Sequence, residues 1–446
     1  MTDRLAVNEH YLNRVVAVAE SAGVEATEDI VTGNGIKLVA KGARIDARSK
    51  DRLLQHKLLK PLETTVRVVD GIGSRPIDRV ADELLSKHAL LAGVCGRLTA
   101  RVVTGAMRDL RLSTPLESLL SIYAAQGPAK LEHAVGVSLL SAAMAYDLPD
   151  GSDKGLHTLM VAGLAHDVGE LYIDPAILQA GLHLSAEQWK HVAAHPIVAA
   201  HVLRDMPGAG AKVAEAVQYH HERLDGFGYP HGLRGALLPI SGQVLALAEV
   251  LMGLIESGRS PGVRAAIAVK LIPGEVNREL LGRVCRAAGV AAASDASEGA
   301  LAPPLSVDEL AAQVSDLQAT LERVRGMQEG IAAQARAGSA ALKELLTLAV
   351  ERCHRIHLAF TSSGLDTHRP DELRERLAAM ESGVHLEATT VLREVRWRLR
   401  EVKREVRLRA ERLAPEEGAL VRQLIDQAAG RATADTGIAE ARPSND

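Results

Sequence analysis

His220–Pro230 reads HHERLDGFGYP: two adjacent histidines, two acids, an arginine and a glycine-rich turn within eleven residues. The chain has 17 histidines in 446 residues, so a His-His pair is a local concentration of one side-chain type. Imidazole and carboxylate together form the donor set that intermediate divalent metals prefer. A dense polar cluster followed by Gly-Tyr-Pro is poor material for a core and good material for a site. Its remaining ligands must then lie elsewhere in the chain.

Upstream, His133 sits among small and apolar neighbours in LEHAVGVSLL, His166-Asp167 closes the apolar run of VAGLAHDVGE, and His195 precedes a proline in AAHPIVAAHVL. The successive steps His133 to His166, His166 to His195 and His195 to His220 are 33, 29 and 25 residues, each about one helix plus one connection. Consecutive helices of a bundle can therefore each turn a ligand inward. One metal needs three or more such ligands and an open position. Two metals about 3.5–4 Å apart need a bridging acid, which Asp167 can supply. Taken singly, each histidine has a plainer reading. A histidine on an apolar face is more often a hydrogen-bonded core residue, and His195 before Pro196 can mark a helix boundary. The HD and HH pairs together favour the metal site, and no serine-hydrolase elbow or phosphate-binding loop competes with it.

The chain is too long for one core. Hydrophobic residues at 47% and charged residues at 24% are ordinary for a globular protein. A net charge of −4 gives no strong pull toward nucleic acid or an anionic membrane, so neither is an expected partner. Aromatics are only 2%, so the core must be built from Ala, Leu and Val, which favours close-packed helices over broad sheets. The fold class read from this is mainly α. Cys95, Cys285 and Cys353 lack any CxxC spacing, which fits a reducing compartment and argues against a thiolate metal site. The N-terminus lacks a signal peptide's apolar run, and no window approaches about 18 uninterrupted apolar residues. A cytoplasmic location without a membrane span is expected.

Five segments follow. Residues 1–75 read as a small α+β module, with Gly35–Asp46 as a hairpin and residues 50–63 as a helix ending near Pro61. Residues 76–290 form the helical domain that bears the site. One of its helices starts at Ser113–Glu117, with Thr114 as cap, Pro115 in the first helical position and Glu117 closing a capping box. Residues 291–305 have a linker's composition. Residues 306–430 carry a coiled-coil seam of Leu310, Val314, Leu317, Leu321, Val324, Gln328 and Ile331, then a second run of Val395, Leu399, Val402, Val406 and Leu413. Glu394 and Arg398 read there as a surface pair. Residues 431–446 have the composition of a disordered tail. Homo-oligomerisation through the C-terminal helices is expected.

The HD pair, HPIVAAHVL and HHERLDGFGYPHGLRG together resemble the HD-GYP subfamily of HD-domain metal-dependent phosphohydrolases, over about residues 120–288. The resemblance implies an HD-type helical bundle with a di- or trinuclear metal centre, usually iron or manganese. It implies hydrolysis of cyclic di-GMP, or a related cyclic dinucleotide, by metal-hydroxide attack. Carried over residue by residue, it makes His133, His166, Asp167, His195, His220 and His221 metal ligands. The last ligand of the family, an aspartate, falls on Glu249. Asp167 and Glu170 are the catalytic candidates. Arg223, Asp225, Gly226, Gly228, Tyr229 and Pro230 would line the entrance, in a turn that the family uses to contact diguanylate cyclase domains. Four positions depart from the pattern: Glu170 replaces a lysine, Glu249 an aspartate, and Gly136 and Gln243 arginines. Three of these remove positive charge, which leaves a second reading open: a catalytically weak or silent module acting as a signalling scaffold.

Overall fold

Alanine, leucine and valine fill the interior, and helices carry nearly all of the regular structure. The computed structural model describes residues 6–430 apart from 73, 147, 149–152, 180–183, 258–259, 298–304, 367–369 and 380–381. The expected tail and residues 298–304 of the expected linker lie outside the described residues. The linker's first residues close the helix Arg278–Ser297, as their alanines favour. The chain divides into two compact units. One comprises Met1–Gly181, Gln188–Gly262 and Val276–Ser294; the other comprises Leu182–Glu187, Val263–Glu275 and Asp295–Asp446. Val263–Glu275, which the sequence placed with the site-bearing domain, thus packs with the second unit.

In the first unit the helix Glu9–Ser21 is capped by Asn8, and strand Val24–Ala26 pairs antiparallel with Val66–Val68. The expected hairpin is displaced. Lys37–Val39 pairs upstream with Ile30–Val31, and the rest of Gly35–Asp46 turns back so that the Ile45 N–H reaches the Val24 carbonyl at 2.8 Å. The expected helix over 50–63 forms earlier, as Ala47–Leu54, behind an Asp46/Ser49 capping box. It stops short of Pro61 because the chain is recruited as a sheet edge, with the Leu59 N–H donating to the Val31 carbonyl at 2.9 Å.

This small module braces the segment that carries the HD pair. Arg14, buried, donates to the carbonyls of Leu171 at 2.6 Å and Ile173 at 3.1 Å, while Asn8 Nδ2 donates to the Tyr172 carbonyl at 3.3 Å. The Tyr11 and Tyr172 rings stack with centroids 5.0 Å apart, and the Tyr172 hydroxyl donates to Glu63 at 2.6 Å. Three consecutive carbonyls behind the 3₁₀ turn Val168–Tyr172 are thereby satisfied.

Helices Thr114–Ala124, Pro128–Ala145, Asp153–Ala165, His195–Leu203, Ala211–Gln218 and Ile240–Glu256 build the site. The first is capped by Ser113, not Thr114: Ser113 has extended backbone and its hydroxyl accepts from the Leu116 N–H, which makes Thr114 the first helical residue. Glu117 lies in the first turn but does not close the expected capping box.

The second unit contains helices Val307–Gly326, Gln328–Ala337, Ala340–Ser362, Pro370–Ala378, Ser382–Ala410 and Pro415–Ala428. Leu310, Val314, Leu317 and Leu321 are buried within it, so that part of the seam is covered by the same chain, and the seam breaks at Met327, where a new helix begins. Leu413 lies past the end of the helix that carries the second run. The Glu394–Arg398 pair is buried rather than exposed. Arg398 donates to Glu394 at 3.0 Å and to Glu275 at 3.0 Å, and Arg352 donates to Glu275 at 2.9 Å. Glu275 is what draws the pair inward. Among the described residues no single helix is long and apolar enough to cross a membrane.

Candidate metal centre

The ends of helices fix the imidazoles. His166 follows a helix ending at Ala165, His195 follows one ending at Ala193, and His220 follows one ending at Gln218. The last turn of a helix leaves carbonyls without an intrahelical partner. Each of these histidines takes one three residues back: His166 Nδ1 on Gly163 O at 2.8 Å, His195 Nδ1 on Val192 O at 2.7 Å, and His220 Nδ1 on Val217 O at 2.6 Å. A carbonyl only accepts, so Nδ1 must carry the proton and Nε2 is left facing inward. His133, mid-helix, reaches the same result through a carboxylate, with Nδ1 2.8 Å from Glu256. Such outer partners set the tautomer and orientation of metal-binding histidines.

The Nε2 atoms converge around Asp167 in two lobes. Asp167 Oδ2 lies 3.3 Å from His166 Nε2 and 3.9 Å from His133 Nε2. Glu249 Oε2 closes that lobe at 3.0 Å from His133 and 3.3 Å from His166. Asp167 Oδ1 faces the other way, 3.2 Å from His195 Nε2 and 3.5 Å from His220 Nε2, and His221 joins this second group. His133 and His166 bring their Nε2 atoms to 3.2 Å, and His195 and His220 bring theirs to 3.1 Å. Opposed imidazole lone pairs at that distance need a proton or a metal cation between them. The residues present fit a divalent metal: borderline nitrogen donors, hard carboxylate oxygens and one acid offering an oxygen to each lobe.

Electrostatics agree. Burial opposes the Asp167 charge, yet His166, His195 and His220 outweigh it and hold the carboxyl well below its usual range. Glu249 is likewise held low against burial by His133 and His166. Burial lowers His133, but Glu249 and Glu256 carry it up to about 11. Burial pushes His220 down to about 4, which keeps its imidazole neutral. Two ionised acids in a buried site demand positive charge; His133 and His166, held high by these acids, can take it as a proton that a metal would replace, while His220 offers a lone pair.

Two glycines permit the close approaches. A Cβ on Gly169 would meet the His195 carbonyl at 2.1 Å, so the 3₁₀ turn can lie against the start of the His195 helix only as glycine. A Cβ on Gly228 would meet the Arg223 N and the Glu222 Cα at 2.3 Å, where the loop folds back on itself.

The sequence-chosen loop residues divide. Tyr229 reaches the centre, its ring stacked on His221 at 4.6 Å. Asp225 shapes the turn by accepting the Phe227 N–H at 3.1 Å, Gly226 takes φ 82°, and Arg223 donates to the Glu222 carbonyl at 3.0 Å. Pro230 follows a cis peptide bond.

Four residues of the site went unread. Glu222, buried, accepts the N–H groups of His231, Gly232 and Leu233 at 2.7, 3.1 and 3.0 Å, and so pins the loop. Tyr123 donates to Asp167 Oδ2 at 3.4 Å. Glu256 holds His133. Lys130 pairs with Glu170 and lies 5.4 Å over the Tyr123 ring. The helical phase carried a signal for two of them. Lys130 is one turn before His133, and Glu256 is seven residues after Glu249 on an otherwise apolar helix.

The structure also shows what occupies the places of the two missing arginines. A Cβ on Gly136 would fall 2.3 Å from Met252 Sδ, so that face of the helix is occupied by packing. Gln243 donates to the Leu238 carbonyl at 2.7 Å and accepts from Asn277 at 2.9 Å.

Residues 117–278 match the family model of the HD domain. The chain carries an HD domain. A cyclic di-GMP phosphodiesterase of Pseudomonas aeruginosa is 29% identical over 194 residues, covering 39% of this chain and 46% of that protein. A 3′3′-cGAMP-specific phosphodiesterase of Vibrio cholerae is 25% identical over 254 residues, 53% of this chain and 55% of the relative. A cyclic di-GMP phosphodiesterase response regulator of Xanthomonas campestris is 27% identical over 107 residues, 24% of this chain and 28% of the relative. The chain thus spans about a quarter to a half of the length of these relatives. The HD domain match begins beside Tyr123 and runs past Glu249, enclosing the whole cluster.

Proposed function

We propose that this HD domain hydrolyses a phosphodiester bond of a cyclic dinucleotide, cyclic di-GMP being the first candidate and 3′3′-cGAMP the second. The observation that carries the reading is the division of Asp167, one oxygen to each of two imidazole groups. His133, His166 and Glu249 would hold one metal, and His195, His220 and His221 the other. Iron or manganese suits this mixed nitrogen and oxygen set. When bound, such a pair supplies Lewis acidity toward the phosphoryl oxygens and lowers the pKa of a water. The chain's own groups do the rest. Nδ1 donation to carbonyls and to Glu256 keeps each imidazole aimed inward. Tyr123, whose own proton is retained because burial pushes its pKa well up, donates to Asp167. The Tyr229 ring covers His221 and offers an aromatic face at the edge of the centre. The cysteines lack disulfides, in keeping with a cytoplasmic setting. The turn from Arg223 to Pro230 is the surface on which a diguanylate cyclase partner would be sought.

Purified protein loaded with iron or manganese, assayed on both cyclic dinucleotides by chromatography of the products, tests the proposal. Release of linear dinucleotide or mononucleotide is expected. Metal-loaded protein that cleaves neither substrate would sink it and leave the scaffold reading.

A further inference from the structure

Lys130 stands at the mouth of the centre in an arrangement that the metal ligands alone do not require. It lies one turn before His133 on the same helix face. Its ammonium pairs with Glu170 Oε2 and sits 5.4 Å over the Tyr123 ring, whose hydroxyl donates to Asp167. The lysine side chain is 36% exposed and that of Glu170 is 20% exposed, so the cation marks the boundary between the centre and solvent. Among the described residues, no other lysine or arginine forms an ion pair with Asp167, Glu170 or Glu249.

From this geometry we infer that Lys130 is the residue that binds the substrate's phosphodiester oxygen, with Glu170 as its positioning partner; the inference rests on the phosphodiesterase reading. An ammonium has three N–H donors, of which Glu170 takes one. The others are placed to meet an anion that enters from the solvent side. Glu170 has a definite task here. A long, mobile lysine side chain loses rotamer freedom on binding; an ion pair on one side and an aromatic face on the other fix it beforehand. Glu170 is therefore a tether for the cation. Burial and the nearby Asp167 push the Glu170 carboxyl up and Lys130 pulls it back, so the acid depends on its partner as much as the reverse. Lysine acts as a point charge toward phosphate, without the bidentate demands of arginine. The group recognised is thus a phosphodiester anion of either cyclic dinucleotide.

The test uses the full chain loaded with manganese and titrated by calorimetry with inorganic phosphate and with cyclic di-GMP, beside metal analysis of each variant. Lys130→Gln is expected to weaken both ligands by roughly tenfold or more, the scale of a charge-assisted hydrogen bond, with metal content unchanged. Where the wild type turns over substrate, KM should rise and kcat stay within about threefold, the pattern of lost ground-state binding. Lys130→Arg should keep most of the affinity. Lys130→Glu should abolish binding, and adding Glu170→Lys to it should recover part, because the swapped pair restores the cation. Phosphate affinity of Lys130→Gln within about twofold of wild type overturns the inference, as does metal loss from that variant, which would make Lys130 structural. A wild type that binds phosphate through Lys130 yet cleaves no cyclic dinucleotide would overturn the functional reading alone.

Discussion

Two buried carboxylates in this molecule, Asp167 in the first unit and Glu275 in the second, have opposite kinds of neighbours. Glu275 is met by Arg352 at 2.9 Å and Arg398 at 3.0 Å, fixed donors that match its charge. Its polar group is complete within the protein. Asp167 is met by imidazoles whose opposite nitrogens are committed to backbone carbonyls, so each atom that faces it can take either a proton or a metal. A buried acid surrounded by fixed cations is structure. A buried acid surrounded by aimed lone pairs is a receptacle.

The contrast can be broken most forcefully at Asp167. Asp167→Asn is expected to abolish both metal retention and hydrolysis while leaving the chain folded by circular dichroism; full metal occupancy in that variant would remove Asp167 from the ligands. Next in size, Glu275→Gln should leave metal content untouched but cost about 3–5 kcal/mol in urea unfolding of the second unit, because two guanidinium groups are left buried beside a neutral amide. A loss under 1 kcal/mol would show that the network is not the closed structural pair described. Stripping the metals with a chelator should destabilise the first unit, by about 2.7 kcal/mol if the metal stood at a hundred times its Kd, and leave the second unit's transition in place. Unchanged melting of both units would mean that the Asp167 cluster is as self-sufficient as the Glu275 one. Glu256→Gln keeps the shape but weakens the acceptor behind His133. Metal affinity should fall by roughly 10–100-fold, the range seen for outer-sphere partners, and equal affinity would deny Glu256 that role. The smallest effect is on the quiet side: burial pushes Cys353 up to about 11 and Cys95 up to about 12. At pH 8 only about one Cys353 in a thousand is thiolate. Alkylation of native protein should leave both cysteines unmodified on the timescale that labels an ordinary thiol, and Cys353 should speed up about tenfold per pH step.

What could be read from the sequence tracks how local its cause is. The HD and HH pairs were legible because their chemistry is written in adjacent residues, and the steps to His133 and His195 because helices have a usual length. Glu249 was legible through its place in the family pattern. Lys130, Glu256 and Tyr123 were not, because their roles come from which helix lies opposite, although the one-turn and two-turn offsets from His133 and Glu249 were in plain sight. Glu394 and Arg398 looked like a surface pair for the same reason: nothing in their own segment announces Glu275, more than a hundred residues away. The displaced hairpin shows the limit on the fold side. Alternating residues at 37–39 declare a strand, but its partner at 30–31 is too short to declare itself.

The helix ends that orient His166, His195 and His220 have one more effect. Helices ending at Ala165, Ala193 and Gln218 turn the partial negative charge of their last carbonyls toward these imidazoles, while the helix that begins at His195 turns a positive pole the same way. With Asp167 and Glu249 both held ionised, the balance of charge there suits a cation better than an anion. A divalent metal held there would offset that negative charge and make the centre more receptive to an anionic substrate.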